Sequence, residues 1–470
     1  MTATATATSA QRPRRTLWRH LDFMKLWSAA TVSSVGDEIT QLALPTVAIL
    51  TLEATPFEFG LLGTIQFLPF ILLTLPAGAW VDRLRRRPIL IIGDIGRAVA
   101  LATIPLAFLF GVLTIWQLYV VGFVVGCLTV FFDVAYQSYL PALVDRDQLV
   151  EGNSKLEVSR SSVQIAGPGA AGVIIGFITA PFAILADAAS FLGSALFVFS
   201  IRKQEPPVSR HLDEHGEKRA SMRQDVAEGL RYVLGHRYLR WIAACTATSN
   251  LFTNLGFAVI LIYAYREVGL TPATVGFAFS LGNIGVLVSA LLSSRVPRWI
   301  GTGPAIVWST IVFAPSLLLI AIAPKETFVP FFVASGLLGG FGSVIYNVTQ
   351  VSFRQAITPQ RMQGRMNATM RFIVWGTIPI GSLLGGALAT VFGLVPAIWV
   401  AAIGSLLAIP PVLFTPVRSI RDIPEPEGEG AAAVEEDAAE AASRVRDAGI
   451  ARIGPAGPDA VPTDDDAGRG

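Results

Sequence analysis

Charge is scarce in this chain: Asp, Glu, Lys and Arg make up 15% of 470 residues, against 52% hydrophobic ones. Soluble proteins carry about 25%. There are only two cysteines, Cys127 and Cys245, both inside apolar runs, so a disulfide framework or a cysteine-based metal site is excluded and two buried thiols are expected. Four histidines provide no His/Cys cluster, and no nucleophile–base pair shares a face, so no enzyme, cofactor or metal is expected. No G-x-x-x-x-G-K-[ST] loop is present, which argues against ATP drive. The net charge of +2 comes from basic residues confined to short links and gives no reason to expect nucleic acid.

What fills the chain is long hydrophobic runs, and the mean hydropathy is +0.57. A helix needs about 20 apolar residues to cross a bilayer. Twelve such spans can be drawn, at 22–52, 57–81, 88–111, 114–141, 155–178, 181–201, 238–265, 272–295, 303–323, 328–355, 365–391 and 394–414. The links that fall on one side hold only Arg266 and Lys325 as basic residues. Those on the other hold Arg83, Arg85, Arg86, Arg87, Arg146, Arg202, Lys203, Arg298 and Arg361. The basic side is the cytoplasm by the positive-inside rule. An even number of spans puts both ends there, in a multi-pass protein of the cell membrane. The run before Leu21 is not a signal peptide, because the hydrophobic stretch after it is too long and has no small-residue cleavage site.

The chain also repeats itself. Tyr139-Leu-Pro-Ala-Leu-Val-Asp-Arg-Asp with Asn153 resembles Phe353-Arg-Gln-Ala-Ile-Thr-Pro-Gln-Arg with Asn367, and Gln137 matches Gln350 in position. The expected architecture is all-α, a polytopic membrane protein of twelve transmembrane helices in two pseudo-symmetric six-helix halves. Residues 1–20 form a disordered basic tail, 21–201 and 238–415 the halves, 202–237 a cytoplasmic linker with a surface helix near 221–235, and 416–470 a disordered acidic tail.

Ionisable residues inside such spans are expensive and are functional candidates by default. Ser34, Asp37 and Gln41 lie at i, i+3 and i+7, a polar stripe on the first helix. Asp37 sits about 22 Å along it, past mid-bilayer. A low-dielectric site favours the protonated acid, the property a proton-coupling group needs. Asp37 and Glu38 either handle protons or substrate, or reach the outer surface or cap a break at Gly36 as structural groups. Neighbouring helix residues point about 100° apart, so Asp37 is expected to face the cavity and Glu38 a neighbouring helix or the surface.

Asp94 and Arg97, three apart, share a face and can pair with each other or with Asp133, as a structural or gating ion network. Asp187 is a further acid, in the sixth span. Gln66, Asn250 and Asn254 are uncharged cavity candidates, although such amides equally serve as helix–helix glue.

The link Gly78-Ala-Trp-Val-Asp82-Arg83-Leu-Arg85-Arg86-Arg87-Pro88 resembles the loop between helices 2 and 3 of the major facilitator superfamily. Trp80 stands where that family often has Leu, and Arg85 where it often has Gly. In this link Gly78 is expected to let the second helix end against a neighbour. The run Gly167-Pro168-Gly169-Ala-Ala-Gly172 resembles the superfamily's antiporter motif, and Pro379-Ile-Gly381-Ser-Leu-Leu-Gly385-Gly386 is an eroded partner. Ser34…Asp37, Gly93-Asp94…Arg97, Phe132-Asp133…Pro141 and Asp187…Phe191 look like the branch of macrolide-efflux proteins and enterobactin exporters.

The resemblance implies a monomeric proton antiporter exporting an amphipathic small molecule by alternating access. Gly78, Asp82, Arg83, Arg86, Arg87, Asp94, Arg97 and Asp133 would then form the cytoplasmic gate, and Asp187, on a sixth helix that in the superfamily is usually peripheral, would be structural support. Alternatives are a flippase for a lysolipid-like amphiphile and a non-transporting membrane scaffold or sensor.

The topology is tested by cysteine labelling. With Cys127 and Cys245 replaced, Thr55→Cys and Thr179→Cys should react with an impermeant thiol reagent added outside cells, and Ser209→Cys should not. The opposite pattern would invert the orientation.

Overall fold

The computed structural model describes residues 16–81, 84–145, 148–203, 205 and 222–421, so Asp82, Arg83 and the greater part of both tails lie outside the described residues. The described elements are helical throughout. In order they are α1 (Leu21–Thr46), α2 (Pro56–Val81), α3 (Arg86–Leu109), α4 (Ile115–Leu143), α5 (Leu149–Ile178), α6 (Ala180–Phe199), α7 (Met222–Gly235) and α8 (Leu239–Arg266). There follow α9 (Pro272–Leu292), α10 (Val296–Ile300), α11 (Thr302–Phe313), α12 (Ser316–Ala321), α13 (Phe328–Ala356), α14 (Gln360–Phe392), α15 (Leu394–Leu406) and α16 (Pro410–Leu413).

Eleven segments among the described residues are long and apolar enough to cross a membrane. The first of the expected twelve, α1, has the length, but Asp22, Lys25, Asp37 and Glu38 make it less apolar. Large apolar side chains such as Phe110, Trp116, Phe177 and Phe392 are exposed around the molecule. In water such a surface would drive association; in a bilayer it faces lipid.

Proline sets several of the irregularities. The ninth expected span is broken at Pro315, which separates α11 from α12 because proline cannot donate a backbone hydrogen bond. Ser405 of α15 donates across this break, to the Ala314 carbonyl (2.5 Å). Gly78 lies in the last turn of α2, which ends at Val81 as drawn, and the buried Ala77 and Val81 set that end against the core; a Cβ at Gly78 itself would meet no described atom within 4 Å, so the close approach is not made at the glycine. Exposed Trp80 adds a ring contact at this end, stacked on Phe131 of α4 at 5.9 Å. The two cysteines are free, Cys245 buried as expected, whereas Cys127 is half-buried.

The buried side chains group by height. At the end that holds Leu17 and Val417, helices α1–α6 have a core of their own, with Phe23, Leu26, Tyr139 and Leu143. Helices α7, α8, α11, α13, α14 and α16 have another, with Val233, Phe353 and Met370. At the opposite end one core spans both sets, from Ile39, Leu62 and Ile184 to Val259, Ile262 and Ile398. The two sets are therefore sealed together at this far end and keep separate cores at the near end.

Glycine builds the seams between them. On one side α5 meets α9: a Cβ at Gly172 would run into the Pro272 carbonyl, Ala273 and Gly276, and one at Gly276 into the Pro168 carbonyl. Pro168 lacks an N–H, which leaves the Gln164 carbonyl without its helical donor; Asn283 Nδ2 of α9 donates to it at 2.7 Å. On the other side α2 meets α14, with Gly60 against Gly386 and Thr64 Oγ1 donating to the Pro379 carbonyl at 3.0 Å. The Gly-Pro run and its eroded partner thus both lie on contacts between the two sets.

The far end carries a third tie. α1 passes into a π-helical turn, Val47–Thr51, after which Ala54 N–H returns to the Ala48 carbonyl at 2.9 Å and Glu53 takes a φ of 49°. Arg266, the last residue of α8, donates through Nη2 to the carbonyls of Ile49 (3.0 Å) and Ala54 (2.8 Å). Thr46 and Tyr265 join hydroxyls at 2.9 Å beside it.

Overpacking a helix seam costs about 1–3 kcal/mol. Gly172→Ala should therefore lower the melting temperature in detergent, while Gly176→Ala, whose new Cβ meets only the Ala273 Cβ at 4.0 Å, should leave it unchanged. Equal effects would mean that the α5–α9 seam is not closely packed.

Candidate functional site

Residues that lie far apart in the sequence meet within the first six helices. Arg97 of α3 is 2% exposed and Asp94 is 0% exposed. Their ion pair is made through Nη2 and Oδ1 at 2.5 Å, the i,i+3 arrangement expected from their spacing. The guanidinium lies between two rings, 4.2 Å from the centre of Phe132 on α4 and 4.0 Å from that of Phe191 on α6. A cation over an aromatic face gains about 0.5–2 kcal/mol, most where water is excluded. Burial, pairing and the two rings make Arg97 a fixed positive charge.

Around it stand carboxylates from three other helices. Asp37 of α1 feels the charges of Arg97, Asp133, Asp94 and Arg160. Asp133 of α4 feels Arg97 and Arg160. Asp187 of α6 feels Asp37 and Arg97, and Glu38 feels Asp37 and Arg160. Asp187 is 1% exposed; its Oδ1 accepts from Ser190 Oγ at 3.1 Å, and its Oδ2 has no partner. Asp94 Oδ2 and Arg97 Nε are likewise unpartnered. Ser194 lies beside Asp94 and Thr40 beside Asp187, although neither hydroxyl meets hydrogen-bonding geometry.

Local packing explains the convergence. Gly36 lets α6 approach so closely that a Cβ there would strike Ser190 and Asp187. Glu38, two residues on, turns toward α5, and its methylenes fill the space a Cβ of Gly167 would take. Asp37 lies between these directions, half-buried. Glu38 thus points to a neighbouring helix, and the residue it packs on opens the Gly-Pro run. Asp133 and Arg160 are exposed.

Two members of the cluster go beyond the expectation from sequence. Asp187 reads there as peripheral support, and the signal available is Gly36 next to Asp37, which marks a helix contact. Arg160 is not among the expected residues; it lies eleven residues after the start of α5, a cation well inside a spanning segment.

The remaining candidates lie elsewhere. Ser34 is half-buried and Gln41 exposed on α1. The Gln66 side chain packs on Gly122 of α4. Asn250 Nδ2 donates to the Val374 carbonyl of α14 at 3.3 Å, and Asn254 Nδ2 to the Asn250 carbonyl at 2.8 Å. These amides do not join the acidic cluster. Of the basic loop, the Arg86 and Arg87 N–H groups donate to Glu205 at 2.9 and 2.6 Å, and Arg87 Nε to the Val198 carbonyl at 3.3 Å. A Cβ at Gly78 would meet no described atom within 4 Å, and Asp82 and Arg83 lie outside the described residues.

Arg97→Gln would strand the buried Asp94, and removing one partner of a buried pair costs about 3–5 kcal/mol. Thermal unfolding in detergent should show a large loss, much of which Asp94→Asn restores in the double variant. An Arg97→Gln protein as stable as the parent would mean that Asp94 is uncharged without Arg97.

Comparison with known proteins agrees with this architecture. The family model described as transmembrane secretion effector matches residues 16–434. The chain is 26% identical over 384 residues to the MFS-type transporter YfiS of Bacillus subtilis (strain 168), covering 80% of this chain and 87% of that one. It is 26% identical over 375 residues to the multidrug efflux pump Tap of Mycolicibacterium fortuitum, covering 78% and 88%. Macrolide efflux protein A of Streptococcus pyogenes is 20% identical over 419 residues, covering 86% and 98%. Among solved structures, an inward-facing bacterial homologue of the iron transporter ferroportin superposes with a TM-score of 0.69 at 17% identity, covering 85% of this chain and 99% of that one. The nucleoside transporter NupG superposes with a TM-score of 0.64 at 12% identity, covering 84% and 98%. At these identities the structural likeness concerns the fold.

Proposed function

The chain belongs to the transmembrane secretion effector family, within the major facilitator superfamily of membrane transporters, and we propose on that premise that it exports an amphipathic small molecule in exchange for protons. The observation that carries the reading is the charge balance around Arg97. Five carboxylates (Asp37, Glu38, Asp94, Asp133, Asp187) share a neighbourhood with two guanidiniums, Arg97 and Arg160. In a low-dielectric site an excess of acids is not left charged: protons or a cationic cargo must neutralise it. Proton binding and cargo binding thus become alternatives at one place, the requirement of an antiporter.

Asp37 is the coupling group in this reading. Asp94 is tied to Arg97, Asp187 is sealed against α1 and Glu38 packs on α5, whereas Asp37 is half-buried and within reach of every other charge in the cluster. The cytoplasm lies at the near end, where the two sets of helices keep separate cores, and the shared core with the Arg266 contacts closes the outer end. Alternating access then consists of breaking that outer closure while the near ends come together, with the glycine seams as the places where the sets turn. The names of Tap and macrolide efflux protein A support export of amphipathic drug-like molecules as the direction and cargo class. The acidic cluster is complete within one chain, so this reading needs no second copy.

Asp37→Asn keeps the size of the side chain and fixes it uncharged. In proteoliposomes it should abolish export driven by a pH gradient yet leave downhill exchange of a cationic dye measurable, and Glu38→Gln should be milder. Full gradient-driven export by Asp37→Asn would overturn the assignment and transfer it to Glu38 or Asp133.

A further inference from the structure

A groove of about 580 Å³ lies away from the acidic cluster, where the end of the described chain folds back on α11. One wall is Pro304, Val307, Trp308 and Ile311, spaced i, i+3, i+4 and i+7 and so a single face of α11. Its mouth holds Arg418, Ser419 and Arg421. The chain places both arginines there by alternation in the turn Pro416–Ser419: Val417 and Ile420 are buried, which turns Arg418, Ser419 and Arg421 outward. The segment is docked firmly, with the Gly303 N–H donating to the Ile420 carbonyl at 2.7 Å and the Thr302 N–H to the Arg421 carbonyl at 3.3 Å.

Those two bonds also occupy amides at the start of α11, so positive charge at the mouth comes from the guanidiniums rather than the helix end. Among the described residues no acid lines the groove, and none forms an ion pair with Arg418 or Arg421. Trp308 and Ile311 remain 39% and 44% exposed although they lie on a membrane-spanning segment. The recess is therefore cationic at the membrane surface and apolar below it.

We propose that this groove binds an anionic phospholipid of the cytoplasmic leaflet, its phosphodiester held by Arg418 and Arg421 and an acyl chain lying along Val307, Trp308 and Ile311. Basic pockets on the cytoplasmic side of membrane helices suit such headgroups, and a guanidinium offers a paired donor geometry to phosphate oxygens. Arginines that only snorkel to the interface would need no recess beneath them. The lipid would brace the turn that ends the helical region against α11, at the near end of the second set of helices. The inference rests on the cytoplasmic orientation of that end and is independent of proton coupling and of the cargo.

Fluorescence of the full-length protein in bilayers tests it. Quenching by lipids brominated on the acyl chain is measured for the parent and for Trp308→Phe, and the difference isolates Trp308 from the other tryptophans. Brominated phosphatidylglycerol should quench Trp308 at a mole fraction on the order of tenfold lower than brominated phosphatidylcholine, as expected for two arginines near the surface. Arg418→Gln/Arg421→Gln should abolish the preference, and the matching lysine pair should retain much of it. Equal quenching by the two lipids, or a preference that survives the glutamine pair, would overturn the proposal. So would displacement by millimolar inorganic phosphate, which would mark a site for free anions. A preference that emerges only once residues 422–470 are removed would assign the groove to the chain's own acidic end and overturn it equally.

Discussion

Arg97 held between the rings of Phe132 and Phe191 is the contact on which the polar interior depends. A guanidinium deprived of water needs partners on every side, and this one takes them from α3 itself, α4 and α6. Because its position is fixed, the acids of α1, α4 and α6 are arranged about a constant charge. Without it, the same carboxylates would repel one another and α1 would have no electrostatic reason to lie against α6. The proposed coupling chemistry is thus a by-product of how the first six helices are fastened.

Backbone groups impose the second constraint. In hydrocarbon no water caps a carbonyl, so a proline in a spanning helix leaves an acceptor that another element can satisfy. Pro168 leaves the Gln164 carbonyl, and Asn283 of α9 takes it. The antiporter-like run therefore does more than allow close approach through glycine: it supplies a directional hydrogen bond between the two sets of helices. The seam against α14 also has a hydrogen bond across it, from Thr64 to the Pro379 carbonyl, although that carbonyl is not the one that Pro379 frees. Small residues make each seam close, and the exposed carbonyl fixes its register.

The fold is largely legible in the sequence because a bilayer demands long apolar helices, and hydropathy reports these directly. Interruptions are less so: α11 and α12 read as one span, since Pro315 inside an apolar run does not reveal whether a helix kinks or stops. The candidate site is half legible. Asp37, Asp94, Arg97 and Asp133 stand out as charges in hydrocarbon, and the i,i+3 spacing foretells the Asp94–Arg97 pair. That Asp187 stands beside Asp37 depends on which faces of α1 and α6 touch, and helical spacing fixes a face without naming its partner.

The π-helical turn at Val47–Thr51 gives the far end an unusual dependence on chain length. Such a turn holds one residue more than the α-helix would need. Deleting any residue there would let α1 run on as a regular helix, rotating the downstream chain by about 100° and carrying the Ile49 and Ala54 carbonyls away from Arg266. Neighbouring substitutions that keep the length would leave those carbonyls where they are. In this corner the closure between the two sets of helices is written in the count of residues rather than in their side chains, so a comparison of related chains by identity would overlook it and an alignment gap would reveal it.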